Sequence, residues 1–315
     1  MIGKYILLSG FGWSGSGAIY DFLSDFNCIK TFQQEFRLFK DIDGLINLRD
    51  QFKENSYFLN TSIAIERFRK FCTILARDNH GIKFGLNYSE IYNSSFLSEI
   101  DQFIDNLKIG VYQSDAFIFQ YDKSNLKQSI WKLGVILNAR NYSKYIMPVN
   151  LTCFDTCAKQ LISNIFYKDI MNKKLILLDQ AINPWSISEV DPFIENYKAI
   201  IVGRDPRDTY LDIKKTGIFK WDVEVFVNNY RSLYDKTKDN ITNNTLFIQY
   251  EDFVLNNEIV SLKILDHIGL RSTDRVRNNY KYQDSKKNIG RYKIIENNAE
   301  IQYIKDELND YCFEF

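Results

Sequence analysis

Hydrophobic positions along the chain fall into short apolar runs separated by stretches with helical spacing. Residues 4–9 (Lys-Tyr-Ile-Leu-Leu-Ser) form one such run, and it stops at glycines. A brief apolar run bounded by turn residues predicts a buried strand. Helical spacing follows from about residue 16 to 26, then a second short strand is predicted over 28–32. Asn60 is expected to cap a helix reaching about 79, with Ile63, Phe68, Phe71, Cys72 and Leu75 facing inward. Residues 96–107, 127–139 and 154–171 also carry helical spacing. The stretch 80–150 shows no strong strand pattern, so residues 60–170 are predicted to be a mostly helical insertion.

Strand and helix patterns alternate again in the second half. Residues 174–178 and 198–203 are continuous apolar runs, and 245–250 is a third after an Asn243-Asn244 turn. Helical patterns cover 186–196, 222–239, 260–268 and 298–311. Asp205 is placed to cap the helix after the second run, with Pro206 at its first position, where a missing N–H costs nothing. Short buried strands alternating with helices predict a parallel sheet covered on both faces. The expected architecture is a three-layer α/β sandwich. Without repeats or a linker, residues 1–315 are expected to form a single domain.

Composition narrows the class. Of 315 residues, 45% are hydrophobic and 25% charged, ordinary for a soluble globular protein. Forty basic residues balance forty acidic ones, and no basic block points to nucleic acid. Aromatic content is high, with 24 Phe and 20 Tyr, which predicts a Phe-rich core. Five scattered cysteines do not form a disulfide framework, and Cys153 and Cys157 are expected to pack on one helical face. With only His80 and His267 available, no metal site is expected. The N-terminal apolar run reads as a strand rather than a signal peptide, and no run is long enough to span a bilayer. A reducing, cytoplasmic setting is expected.

Two segments carry candidate chemistry. After the first strand come Gly10-Phe11-Gly12-Trp13-Ser14-Gly15-Ser16-Gly17 and a helix start. Such a turn aims backbone N–H groups and the positive end of a helix dipole at one point, which makes an anion site. An ATP or GTP loop needs Gly-x-x-x-x-Gly-Lys-Ser/Thr. Gly10 and Gly15 have that spacing, but Ser16 stands where the lysine belongs. The second segment is Gly203-Arg204-Asp205-Pro206-Arg207-Asp208, at the carboxyl end of a predicted strand. It reads either as an ion-paired turn, Arg204 and Arg207 against Asp205 and Asp208, or as a ligand crevice of an open α/β sheet.

Taken together, these segments resemble the sulfotransferases that use 3′-phosphoadenosine 5′-phosphosulfate, which have a P-loop-like fold. The resemblance also draws on 178–184 (Leu-Asp-Gln-Ala-Ile-Asn-Pro), Tyr250-Glu251-Asp252-Phe253, and 285–293, where Gly290-Arg291-Tyr292 occurs. It implies that Gly12, Trp13, Ser14, Gly15, Ser16 and Gly17 hold the 5′-phosphosulfate. It implies that Arg204 holds the 3′-phosphate, with Asp212, Lys286, Lys287, Gly290 and Arg291 around it. It implies no metal. Glu35 is the candidate base and Arg37 a candidate cation facing the sulfuryl group, with Lys132 as another. A carboxylate can take the proton of an attacking hydroxyl; the alternative is an ion pair between Glu35 and Arg37. The implied reaction is sulfuryl transfer to a hydroxyl of a small-molecule or glycan acceptor, by family analogy a carbohydrate or glycolipid bound on the helical insertion.

The chain departs from the family pattern at three positions. Trp13 replaces a loop lysine, Gln180 replaces an upstream lysine, and Asp212 stands where relatives often have serine. The competing readings are a nucleotide or metabolite kinase on a related sheet, and a binding protein that has lost catalysis. The oligomeric state is not readable.

Overall fold

The computed structural model describes residues 5–53, 57–79, 84–120, 123–172, 174–294 and 298–314. Lys4, assigned above to the first strand, and His80 lie outside these residues. The chain divides into two compact units, one from the described residues of 1–37 and 167–315, the other Leu38–Phe166.

In chain order the first unit opens with β1 (Tyr5–Gly10), α1 (Ser16–Ser24) and β2 (Ile29–Lys30). The second unit then runs through α2 (Leu45–Asp50), α3 (Phe58–Ala76), α4 (Tyr88–Ile91), α5 (Phe96–Asn106), β3 (Lys108–Ser114), α6 (Asn125–Ile136), β4 (Ser143–Pro148) and α7 (Leu151–Ile165). The first unit resumes with α8 (Tyr167–Met171), β5 (Leu175–Asp179), a 3₁₀ stretch (Pro184–Val190), β6 (Tyr197–Gly203), α9 (Pro206–Thr216) and α10 (Val223–Lys238). It closes with β7 (Thr245–Gln249), α11 (Tyr250–Leu255), α12 (Asn257–Ile268), α13 (Tyr282–Lys286) and α14 (Ala299–Glu307).

The first unit is built on a parallel sheet of order β2-β5-β1-β6-β7. Every residue of β1 is buried, as a central strand covered on both faces requires. Ile6 and Leu8 of β1 join Ile200 and Val202 of β6 in a core with Ile19, Phe22 and Leu23 of α1, Phe253 of α11 and Ile264 of α12. A second cluster unites α9, α10 and α14 through Tyr210, Phe226, Tyr230, Tyr234 and Ile304, with Phe247 of β7 packed against it. The helices therefore cover both faces, and the fold is the expected α/β sandwich.

The second unit has its own core. Phe68 of α3 meets Phe103 of α5, and Phe103 meets Phe154 of α7, each at 5.7 Å between ring centroids. Arg49 of α2 grips Asp155 of α7 through two hydrogen bonds of 2.7 and 2.8 Å. Three expectations change here. Helix α3 starts before Asn60, with Tyr57 at its flank, so Asn60 sits in the first turn and caps nothing. Cys153 is exposed on α7 rather than packed. The stretch expected to lack strands contains the antiparallel pair β3 and β4, with Val111 opposite Ile146 and Tyr112 opposite Tyr145. Ile109 and Val111 occupy exposed positions on β3, so the apolar–polar alternation that signals a half-buried strand is absent from the sequence.

Candidate functional site

The candidate site lies in the first unit, at the carboxyl ends of β5, β1 and β6. Beyond Gly10 the backbone turns through three left-handed residues: Gly12 (φ 77°), Trp13 (φ 51°) and Gly15 (φ 82°). Gly15 is required on a second count, because an added Cβ would come within 2.3 Å of the Tyr250 ring. Tyr250 thus closes one side of the loop. Trp13, a bulky residue in a conformation that costs most side chains, is held by a hydrogen bond from Arg204 Nη1 to its carbonyl, 2.9 Å. The Trp13 ring lies edge-on to Phe219.

Helix α1 then begins at Ser16; Ala18 N–H donates to the Gly15 carbonyl at 3.1 Å, and no side chain caps the end. Gln180 replaces the expected lysine and has φ 52°. Its Nε2 donates to Ser16 Oγ at 2.9 Å, and its backbone N–H donates to Leu8, tying β5 to the loop. Ser14 is 3% exposed and folds back over Gly10, yet its hydroxyl has no partner. An orphaned buried hydroxyl beside a helix N-terminus fits an incoming anion that accepts a hydrogen bond.

The β6–α9 turn is organised by buried charge. Asp205 caps α9, accepting from the Arg207 N–H at 2.8 Å, and pairs with the Arg207 guanidinium at 2.6 Å. Arg207 also lies over the Tyr292 ring. Half of the ion-paired turn is therefore present. Arg204 does not pair with Asp208. It is 4% exposed and spans the crevice: Nη1 reaches Asp212 at 2.6 Å as well as Trp13, and Nη2 reaches the Asn288 carbonyl at 2.7 Å. Its Nε has no partner, and its guanidinium sits 5.3 Å from the centroid of Tyr250. Its backbone is fixed by two tyrosines of α10, with N–H donating to Tyr234 Oη at 3.0 Å and the carbonyl accepting from Tyr230. Glu251 accepts the Asp205 N–H at 3.0 Å, and burial pushes its carboxyl up to about 7.

The late segment folds onto the same turn. Asp208, fully buried, accepts from the Gly290 and Tyr292 N–H groups at 2.6 and 3.2 Å. Burial raises its pKa while these two donors pull it down. Asp212, one turn further along α9, is held by two guanidiniums, Arg204 on one oxygen and Arg291 on the other. Its carboxylate points into the arginine cluster, not away from it. Lys286 and Lys287 are exposed on the rim, Lys286 over the Tyr282 ring.

Glu35 and Arg37 form an exposed ion pair of 3.3 Å. They lie on a segment anchored by the Phe36 N–H, which donates to the Asp179 carbonyl at the end of β5. Lys132 is exposed on α6, in the second unit. The site thus gathers the loop residues, Arg204, Asp212, Gly290 and Arg291 into one bonded cluster. Sequence reasoning missed Tyr230 and Tyr234 as its supports, since their helical spacing reads equally as core, and it carried Glu251 only within the 250–253 segment, without a role. Among the described residues no cluster of three or more His, Cys, Asp or Glu is placed to hold a metal, and no helix is long and apolar enough to cross a membrane.

The fold is α/β, a parallel sheet with a P-loop-like strand–loop–helix crevice at its centre. No family model and no curated protein matches the sequence. Among solved structures the chain is similar to the sulfotransferase domain from the Synechococcus PCC 7002 olefin synthase, at 11% identity and a TM-score of 0.45 over 99% of this chain and 94% of that one. It is similar to the sulfotransferase domain from the curacin biosynthetic pathway at 11% identity and a TM-score of 0.40, covering 98% of both chains. A sulfotransferase from Mycobacterium tuberculosis H37Rv, STF1, matches at 9% identity and a TM-score of 0.41, over 98% of this chain and 77% of that one. At such identities the chemistry has to be read from this chain's own residues.

Proposed function

We propose that the protein is a sulfotransferase that moves the sulfuryl group of 3′-phosphoadenosine 5′-phosphosulfate onto an acceptor hydroxyl. One observation carries the reading. Arg204 physically joins the glycine loop to the β6–α9 turn, so the two segments named from sequence meet, with unpartnered donors for an anion at Ser14 Oγ and Arg204 Nε.

In this reading the loop from Gly12 to Gly17, Ser14 included, holds the 5′-phosphosulfate. Arg204, with Arg291, Lys286 and Lys287 on the late segment, takes the 3′-phosphate. Charge-assisted bonds of this kind are about twice as strong as neutral ones. The acceptor oxygen attacks sulfur in line. The new O–S bond forms as the S–O bond to the 5′-phosphate breaks, and adenosine 3′,5′-bisphosphate leaves. The hydroxyl proton passes to Glu35, which Arg37 orients through their 3.3 Å contact. As in phosphoryl transfer, positioning and electrostatics do most of the work. The acceptor class to screen first is a carbohydrate or glycolipid hydroxyl.

Calorimetry with adenosine 3′,5′-bisphosphate against ATP–magnesium separates this reading from a kinase: the bisphosphate binds and ATP–magnesium does not. Preference for ATP–magnesium overturns the proposal. With a sulfuryl acceptor in hand, Glu35→Gln keeps nucleotide binding and loses at least about 100-fold in turnover. Near-normal turnover removes Glu35 from the role of base.

A further inference from the structure

The second unit carries a feature outside the bonded cluster of the candidate site. Helix α6 packs inward through Gln128, Trp131 and Val135, and none of its residues is fully buried. Its outward stripe is apolar. Leu126, Ile130, Leu133 and Leu137 recur at helical spacing and are 72%, 61%, 57% and 72% exposed. Ile136 beside them and Phe117 near Trp131 are exposed as well. A water-facing helix should carry its polar residues on this side.

Charge is segregated around the stripe. Residues 123–154 contain Lys123, Lys127, Lys132, Arg140 and Lys144 but no Asp or Glu. Arg140 is engaged with Asp115, while Lys127 and Lys132 are exposed and leave α6 on opposite sides of the stripe. Lys127 also lines a cavity of about 890 Å³ within this unit. Arg67, Arg69, Lys70, Arg77 and Lys123 share that lining with one acidic residue, Glu66. Arg67 and Arg69 are paired with Asp43 and Asp101 on its margins.

An apolar helix face flanked by lysines, beside a wide cationic cleft, fits an anionic bilayer surface. The apolar side chains enter the acyl boundary, and the lysine stems extend their ammonium groups to the phosphates. We propose that α6 and the adjoining cleft dock the protein on anionic lipid membranes, with the cleft taking lipid phosphate headgroups. A protein partner would be expected to bring carboxylates to such a face; a neutral partner leaves the cationic cleft unexplained. This inference does not depend on the sulfotransferase reading.

The test is co-sedimentation of the full chain with vesicles of phosphatidylcholine alone and of phosphatidylcholine with phosphatidylglycerol. Binding is expected only to the anionic vesicles, falling as salt is raised. Leu133→Glu, at an exposed position that leaves the fold intact, abolishes it, and the pair Lys127→Glu with Lys132→Glu weakens it at least about tenfold. Failure of the unaltered chain to bind anionic vesicles overturns the proposal, as does unchanged binding by Leu133→Glu. Concentration-dependent self-association that Leu133→Glu removes, with no vesicle binding, assigns the stripe to a second copy of the chain and overturns it equally.

Discussion

Asp212 is the residue at which this chain departs most sharply from the pattern it resembles. Its carboxylate offers one oxygen to Arg204 and the other to Arg291, much as a phosphate would. On the proposed function, an incoming 3′-phosphate competes with this resident anion for the same guanidiniums. The expected result is weak discrimination in the unaltered protein between adenosine 3′,5′-bisphosphate and adenosine 5′-phosphate. Asp212→Ser should raise the preference for the bisphosphate by about tenfold or more, read by calorimetry with both ligands. A preference that is already large, and falls in Asp212→Ser, would place the carboxylate outside the competition. Glu251 gives a pH signature. Its folded pKa of about 7 lies above that of an unfolded glutamate, so its contribution is complete below the ordinary glutamate range and is lost as pH rises through about 7. The melting temperature should fall between pH 5 and 8, and Glu251→Gln should flatten that slope. Of these residues, the sequence revealed Asp205 as a cap because the cap and its proline are adjacent. It did not reveal that Arg204 meets Asp212 rather than Asp208, since both acids lie on one face of α9 and the choice depends on a segment some eighty residues later.

At the scale of elements, the segment around Gly290 is held less by its own structure than by α9. Asp208 takes two of its backbone N–H groups, Arg204 takes the Asn288 carbonyl, and Tyr250 donates to Ser285 at 3.1 Å. Asp208→Ala strands two donors and should cost about 2–3 kcal/mol locally. Hydrogen exchange is expected to rise over 285–292 while β1 and β6 stay protected; unchanged exchange there would mean the segment is held by other contacts. The same contrast explains what could be read in advance. The central parallel strands are continuous apolar runs, so β1, β5, β6 and β7 were visible to within a residue or two. β3 exposes Ile109 and Val111, and in β4 only Tyr145 is buried while Ile146 and Met147 are half-buried, which blurs the period-two signal. The helix at 58–76 was recognisable from Phe68, Cys72 and Leu75, but its start was not, because no side chain caps it.

At the scale of the molecule, the two units differ in how the chain builds them. Leu38–Phe166 is continuous and has its own aromatic core, so this segment produced alone should melt cooperatively with a helical circular dichroism spectrum. A broad, non-cooperative transition would mean that it needs the rest of the chain. The sheet is different. β1 pairs with β5 and β6, so Tyr5 finds its neighbours at Ile176 and Tyr197. On a ribosome moving at about 5–20 residues per second, the wait for those partners is on the order of ten to forty seconds. Through that interval the nascent chain carries an apolar strand and a glycine loop with nothing to pair against, while the segment between them can already fold. Codon-level slowing before residue 175 should therefore lengthen the exposure and lower soluble yield, whereas slowing after residue 250 should have little effect.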